Sequence, residues 1–140
     1  MASVVTETTE QLRDRVRDAG ARGARLRITG RGTWLDAGRP VRATTELSTR
    51  HLAGIVAYVP GDLTLTARAG TTLAELRDAT APHNQWLALD PHGSDDGTLG
   101  ATVATASAGP LSTTFGTPRD LVLGIEFVTG VGAIARGGGR

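Results

Sequence analysis

The sequence contains no cysteine and no lysine. Without cysteine there is no disulfide, no thiolate nucleophile and no thiolate-held metal or iron–sulfur centre. Without lysine there is no Schiff-base amine and no P-loop lysine; all fifteen basic residues are Arg. No apolar run approaches the length of a membrane span. The opening MASVVTETTEQLRDR carries only a short apolar run and soon turns acidic, unlike a secretory signal. A cytoplasmic protein with no membrane span is the expectation. A net charge of +1 offers no electrostatic case for nucleic acid or an anionic lipid surface. What remains, 39% apolar and 21% charged over 140 residues, is the composition of a soluble globular chain. One domain of this length can bury roughly two-thirds of its unfolded surface.

The most informative stretch is PHGSDDGTLGATVATASAGPLSTTFGTPRD, residues 91–120. Between Gly93 and Gly116 there is no Arg and no aromatic except Phe115. Gly, Ser, Thr and Ala dominate, and such residues bury too little apolar surface to build a core. They do allow backbone N–H groups to approach a ligand closely. Thr98 can cap a short helix over Leu99 to Thr105, with its N-terminal amides turned toward an anion. The stretch therefore reads as the wall of a phosphate-bearing cofactor site. A flexible Gly/Ser/Thr loop is the other reading of the same composition. Against it stand Leu99, Val103, Leu111 and Phe115, which punctuate the run, and the apolar strand that follows.

Along the chain, Thr8-Thr9-Glu10-Gln11 has the capping-box form, with Leu12, Val16 and Ala19 at helical spacing. A helix is predicted from about Thr9 to Ala19, stopped by Gly20. ARLRIT predicts a half-buried strand with Leu26 and Ile28 inside, and Gly38 and Pro40 turn the chain toward a second strand. GIVAYVP and LTLTARAG flank Gly61-Asp62 as a β-hairpin, with Leu63, Leu65 and Ala67 on one face. Thr72 and Glu75 form another capping box, opening a helix that buries Leu73, Leu76 and Ala79 and ends at Pro82. A brief strand is expected at Trp86-Leu87-Ala88-Leu89, a stronger one over residues 121–129, and a last one over residues 133–136. Mixed helices and hairpins give an α+β class rather than an all-parallel sheet.

Gly30-Arg31-Gly32-Thr33-Trp34 directly follows a predicted strand, where successive amides can form an anion-binding nest. A plain turn is the alternative. Position 35 is Leu35, so the third glycine of a dinucleotide fingerprint is missing. Gly130-Val131-Gly132-Ala133-Ile134-Ala135 matches G-x-G-x-x-A, but only five residues follow it, and a hairpin turn is the better reading. His51, His83 and His92 lack the spacing of a helical metal pair, and Asp95-Asp96 has no further oxygen ligands beside it. Residues 117–120, TPRD, read as a turn and helix start. No Ser–His–Asp arrangement follows from spacing.

The order strand–GRGTW, GRPV, GIVAYVPGDLTLTARAGTTLAEL, PHGSDDGTLGATVATASAGP, FGTPRDLVLGIEFVTG and GGGR resembles a known family. It is similar to the FAD-binding domain of the vanillyl-alcohol-oxidase and para-cresol-methylhydroxylase type of flavoproteins. Within that group it resembles the FAD-binding subunit of bacterial glycolate oxidase. The similarity runs from about Leu12 to Arg140 and rests chiefly on TLGATVATASAGP followed by FGTPRDLVLGIEFVTG.

The resemblance implies an α+β fold of two small α/β subdomains, about 1–55 and 56–140, with FAD between them. Carried onto this chain, Gly30, Arg31, Gly32, Thr33 and Trp34 would take the pyrophosphate. Thr98, Gly100, Thr105, Ser107 and Gly109 would line the diphosphate and flavin side, with Gly116 and Asp120 nearby, and residues 121–129 would support the adenosine region. Some relatives anchor flavin covalently to His or Cys in the first loop; Arg31, Thr33 and Trp34 stand here, so non-covalent FAD is expected. The family continues past the GGR element with further strands and a substrate domain. A partial FAD-binding domain, inactive by itself toward 2-hydroxy acids, is therefore expected. Its implied partners are a second flavoprotein subunit and an iron–sulfur subunit of a glycolate oxidase complex. The alternative is a non-catalytic FAD- or nucleotide-binding module, or a fragment that binds a partner.

Overall fold

Thr8 caps the first helix by accepting a hydrogen bond from the Gln11 amide at 3.1 Å. The Gln11 side chain accepts from the Glu7 amide at 2.9 Å rather than closing a box on Thr8. The computed structural model describes residues 2–139 of the chain. Helix α1 covers Thr9–Ala21, passing through the expected stop at Gly20 and ending at Arg22. Ahead of it, Ala2–Val5 form strand β1, which the short apolar opening did not advertise. Strands β2 (Leu26–Thr29) and β3 (Thr45–Ser48) fall where the alternation and the Gly38–Pro40 turn place them.

These three strands make one parallel sheet in the order β1-β3-β2. Val4 and Ile28 both lie in register with Leu47, on opposite sides of β3. Leu47, buried, and Ala19 of α1 line a small groove together with Val4 and Leu26, so α1 covers one face. Ile28, expected inside, is exposed, and Thr29 is buried in its place. All three strands end at the same edge. Open parallel sheets bind ligands beyond that carboxyl edge.

The hairpin follows as expected, with β4 (Ile55–Val59) antiparallel to β5 (Thr64–Ala67). Its turn is a 3-10 segment, Pro60–Asp62, closed by Leu63 in the left-handed region at φ 56. Leu63 is thereby lifted out of the strand and left exposed, contrary to its expected place on the Leu65 face. Helix α2 (Leu73–Thr80) has the complete Thr72–Glu75 capping box and buries Leu73 and Leu76. Residues 86–89 form no strand. The segment is instead tethered through Gln85, which accepts from the Tyr58 hydroxyl at 2.7 Å and donates to the Pro60 carbonyl at 2.8 Å. An extended run without a neighbouring backbone to pair with makes no ladder.

Helix α3 spans Leu99–Thr105, as its Thr98 cap predicts. Two single-turn helices follow, α4 (Ser112–Phe115) and α5 (Pro118–Leu121). Because Leu121 closes α5, strand β6 is Gly124–Val128, shorter than the expected run. It pairs antiparallel with β7 (Ile134–Gly138) through the turn at 130–132, so the G-x-G-x-x-A segment is a hairpin. The class is α+β. Among the described residues no helix is long and apolar enough to cross a membrane.

Candidate functional site

Beyond β2 the chain enters the loop Gly30-Arg31-Gly32-Thr33-Trp34, which is fastened at its first residue. The Ser48 hydroxyl donates to the Gly30 carbonyl at 2.9 Å. Gly30 also packs on Thr98 so closely that a Cβ would overlap Oγ1 and lie 3.2 Å from Cγ2. Gly32 adopts φ +74, a region L side chains rarely enter, which lets the loop double back. The amides of Arg31, Gly32, Thr33 and Trp34 donate to no acceptor among the described residues. Four consecutive donors are thus left without a partner within the chain.

The loop faces the turn formed by residues 92–98. Thr33 lies beside Gly97, and the Trp34 ring packs on His92 with centroids 4.9 Å apart and planes tilted by 38°. The turn is anchored in its own right. Leu73 donates to the Gly97 carbonyl and Ala74 to the Asp95 carbonyl, each at 3.0 Å, while Arg77 pairs with the Asp95 carboxylate.

The N-terminus of α3 behaves differently from the expectation. The Leu99 amide donates to the Thr71 carbonyl at 2.9 Å and the Gly100 amide to the Ala69 carbonyl at 2.8 Å. The Ala101 amide donates to Thr98 Oγ1 at 3.3 Å. All three donors are spent inside the chain and none is turned toward an anion. Gly100 is glycine because a Cβ there would lie 2.7 Å from that of Ala69. Thr98 is buried, with its hydroxyl occupied as the cap. These two residues weld α3 to the strand-to-helix segment before α2.

The remaining small residues are held as firmly. Thr105 donates to the Ala101 carbonyl at 2.7 Å within α3. Ser107 Oγ accepts from the His92 amide at 3.0 Å, joining the exit of α3 to the turn that faces the loop. Gly109 and Leu111 donate their amides to the two carboxylate oxygens of Asp90 at 3.1 and 2.9 Å. A Cβ on Gly109 would sit 2.5 Å from the Asp90 carbonyl oxygen. Gly116, at φ +91, lies over Asp120, whose carboxylate accepts from the Thr117 amide at 2.8 Å and hydroxyl at 2.7 Å. Gly116 and Asp120 thus engage each other and Thr117.

Sequence reasoning missed Asp90 and the threonine framework. Thr29, Ser48, Thr71, Thr72, Thr98 and Thr102 are all buried around the junction of the two loops. No buried side-chain polar atom among the described residues lacks a partner. A hydroxyl that donates to a carbonyl carries no signature in sequence; for Asp90 the partners lie 19 and 21 residues away.

Two carboxylates are held below their usual range. Glu75 is lowered chiefly by the Thr72 amide, then by its hydroxyl, with a smaller contribution from the Arg31 charge and partial opposition from burial. Asp120 is lowered first by the Thr117 hydroxyl, then by its amide. His83 packs edge-on to Tyr58, and His51 lines a cup together with Arg31 of the loop and Arg50. Among the described residues no group of three or more His, Cys, Asp or Glu is placed to hold a metal.

The family described as FAD binding domain matches residues 2–138. The chain belongs to that FAD-binding family. FAD is its cofactor, and the residues present suit it, because the amides at 31–34 are free to receive a diphosphate while glycines keep the facing walls close. The FAD-binding chain is 37% identical over 133 residues to glycolate oxidase subunit GlcE of Escherichia coli strain K12, covering 94% of this chain and 38% of that one. It is 32% identical over 115 residues to a D-lactate dehydrogenase of Archaeoglobus fulgidus, covering 81% and 25%. The chain therefore spans about a quarter to two-fifths of the length of the curated relatives it matches. Its fold superposes on Phl p 4, a grass pollen allergen with glucose dehydrogenase activity, with a TM-score of 0.81 at 14% identity, over 96% of this chain and 28% of that one. It superposes on alkyldihydroxyacetonephosphate synthase with a TM-score of 0.79 at 22% identity, over 99% and 26%. The resemblance to flavoproteins of the vanillyl-alcohol-oxidase type is borne out.

Proposed function

We propose that this chain is the cofactor-holding part of a glycolate-oxidase-type flavoprotein that oxidises 2-hydroxy acids. The observation that carries the reading is the run of four unpartnered amides at Arg31, Gly32, Thr33 and Trp34, in an FAD-binding domain similar to GlcE. FAD, when bound, supplies the electron acceptor for such a substrate. The chain supplies the holding. The four amides donate to the diphosphate oxygens, and donors already fixed in place cost little reorganisation. Thr98 and Gly100 shape the wall by packing, whereas Thr105, Ser107 and Gly109 border the flavin side, with Gly116 and Asp120 nearby. Strand β6 supports the adenosine.

The cofactor is held non-covalently, since the chain has no Cys and the loop offers Arg, Gly, Thr and Trp where an anchor would stand. FAD lies between two subdomains that divide near residue 55. Contacts to the hydroxy acid come from the part of such proteins that this chain does not span, so residues 1–140 alone bind FAD and do not oxidise glycolate. A second flavoprotein subunit and an iron–sulfur subunit complete the cytoplasmic complex.

The test is purification in FAD-containing buffer, desalting, and a visible spectrum before and after acid precipitation. Flavin absorbance that survives desalting and is released by acid is the expected result. A colourless protein, or flavin left in the pellet, overturns the binding or the non-covalent part respectively. Anaerobic mixing with excess glycolate or lactate should leave the flavin band unbleached.

A further inference from the structure

A cup of about 270 Å³ opens beside the carboxyl ends of β2 and β3 and is lined by Arg31, Arg50 and His51. The ion pairs among the described residues engage Arg13, Arg77 and Arg136, not Arg31 or Arg50. The carboxylate of Glu75 feels the Arg31 charge but forms no ion pair with it, and its Oε2 accepts from the Thr72 amide and hydroxyl at 2.7 and 2.8 Å. Two arginines therefore line one concavity whose lining includes no carboxylate. Like charges held together repel, and an oxyanion seated between them removes that repulsion and accepts their forked hydrogen bonds. The imidazole of His51 adds a ring N–H donor. None of the residues of the 92–98 turn lines the cup, and Arg31 is the one residue of the amide loop that does.

We propose that Arg31, Arg50 and His51 form a binding site for a free phosphate-class oxyanion, inorganic phosphate or a small phosphate monoester, distinct from the site of the cofactor diphosphate. Arg31 joins the two: its amide belongs to the loop and its side chain to the cup. Two of its three residues, Arg50 and His51, lie outside those assigned to the cofactor, so titration of the cofactor-free chain tests the cup apart from the FAD reading.

The experiment titrates inorganic phosphate into the protein by calorimetry and ³¹P NMR, at neutral pH and with ionic strength held constant by chloride. It is done on the cofactor-free and the FAD-loaded chain, and on a double variant Arg50→Gln, His51→Asn. Both replaced side chains are exposed, and circular dichroism verifies the fold. The expected result is saturable phosphate binding by both forms, weakened about tenfold or more in the double variant. Absence of saturable binding, or equal affinity in the double variant, overturns the site. Loss of phosphate binding on loading FAD overturns its distinctness, since the cup then belongs to the cofactor diphosphate. If the protein takes up no FAD, that failure falls on the proposed function, and the cofactor-free titration still decides the cup.

Discussion

Gly30 rests directly on the side chain of Thr98, with no space for a Cβ between them. This contact joins the loop of free amides to the cap of α3. Gly30→Ala forces the two apart, and an overpacked contact of this kind costs about 1–3 kcal/mol. Thr98→Ala alone removes an N-cap, worth about 1 kcal/mol. The double variant should cost clearly less than the sum of the two, because removing the hydroxyl makes room for the added methyl. Urea unfolding of the four proteins measures this, and simple additivity would show that the contact does not carry the strain.

Gly32→Val acts on the cofactor rather than on the fold. A branched residue at φ +74 is strained, and its Cβ would meet Leu35 Cδ1 at 3.3 Å. The loop must then shift, and the amides of residues 31–34 move with it. FAD retention after desalting should fall several-fold or more, with little change in far-ultraviolet dichroism. Unchanged retention in Gly32→Val would mean that the loop is only a turn.

Asp90→Asn tests the carboxylate that holds the amides of Gly109 and Leu111. Asparagine keeps one acceptor for the two amides of Gly109 and Leu111 and presents an NH₂ to the other. Leaving a donor unsatisfied costs about 1–3 kcal/mol. Stability should drop by that order, and the drop should persist without FAD. A loss seen only with FAD bound would instead make Asp90 a cofactor contact.

The acid limb of stability should depend on the α2 capping box. The folded-state pKa of Glu75 lies below its usual 4.5, so the unfolded chain binds more protons across that interval. The contribution is present above the unfolded pKa and is lost as pH falls through the folded one. Thermal midpoints followed downward from about pH 5 should fall less steeply in Glu75→Gln than in the parent. Asp120, shifted in the same direction, leaves part of the slope in place. Parallel curves would show that the Glu75 charge does not contribute.

The sequence by itself determined whatever is settled within about four residues. The caps at Thr8, Thr72 and Thr98 place three helix starts, and the turn at 130–132 identifies a hairpin despite its fingerprint-like glycines. Hydrogen bonds of a cap or a turn close over neighbouring positions, so their chemistry is written locally. The order of loops in the flavoprotein pattern likewise carried the family. Tertiary structure alone decided the rest. Residues 2–5 became a strand because β3 lies beside them, while residues 86–89 found no backbone to pair with. The amides at the start of α3 looked available, yet carbonyls of Ala69 and Thr71, some thirty residues earlier, had taken them. The amides of residues 31–34 were left free, and Asp90 was committed to Gly109 and Leu111. Whether a polar group is spent or available depends on which distant groups the fold brings within about 3 Å, and no local pattern records that distance.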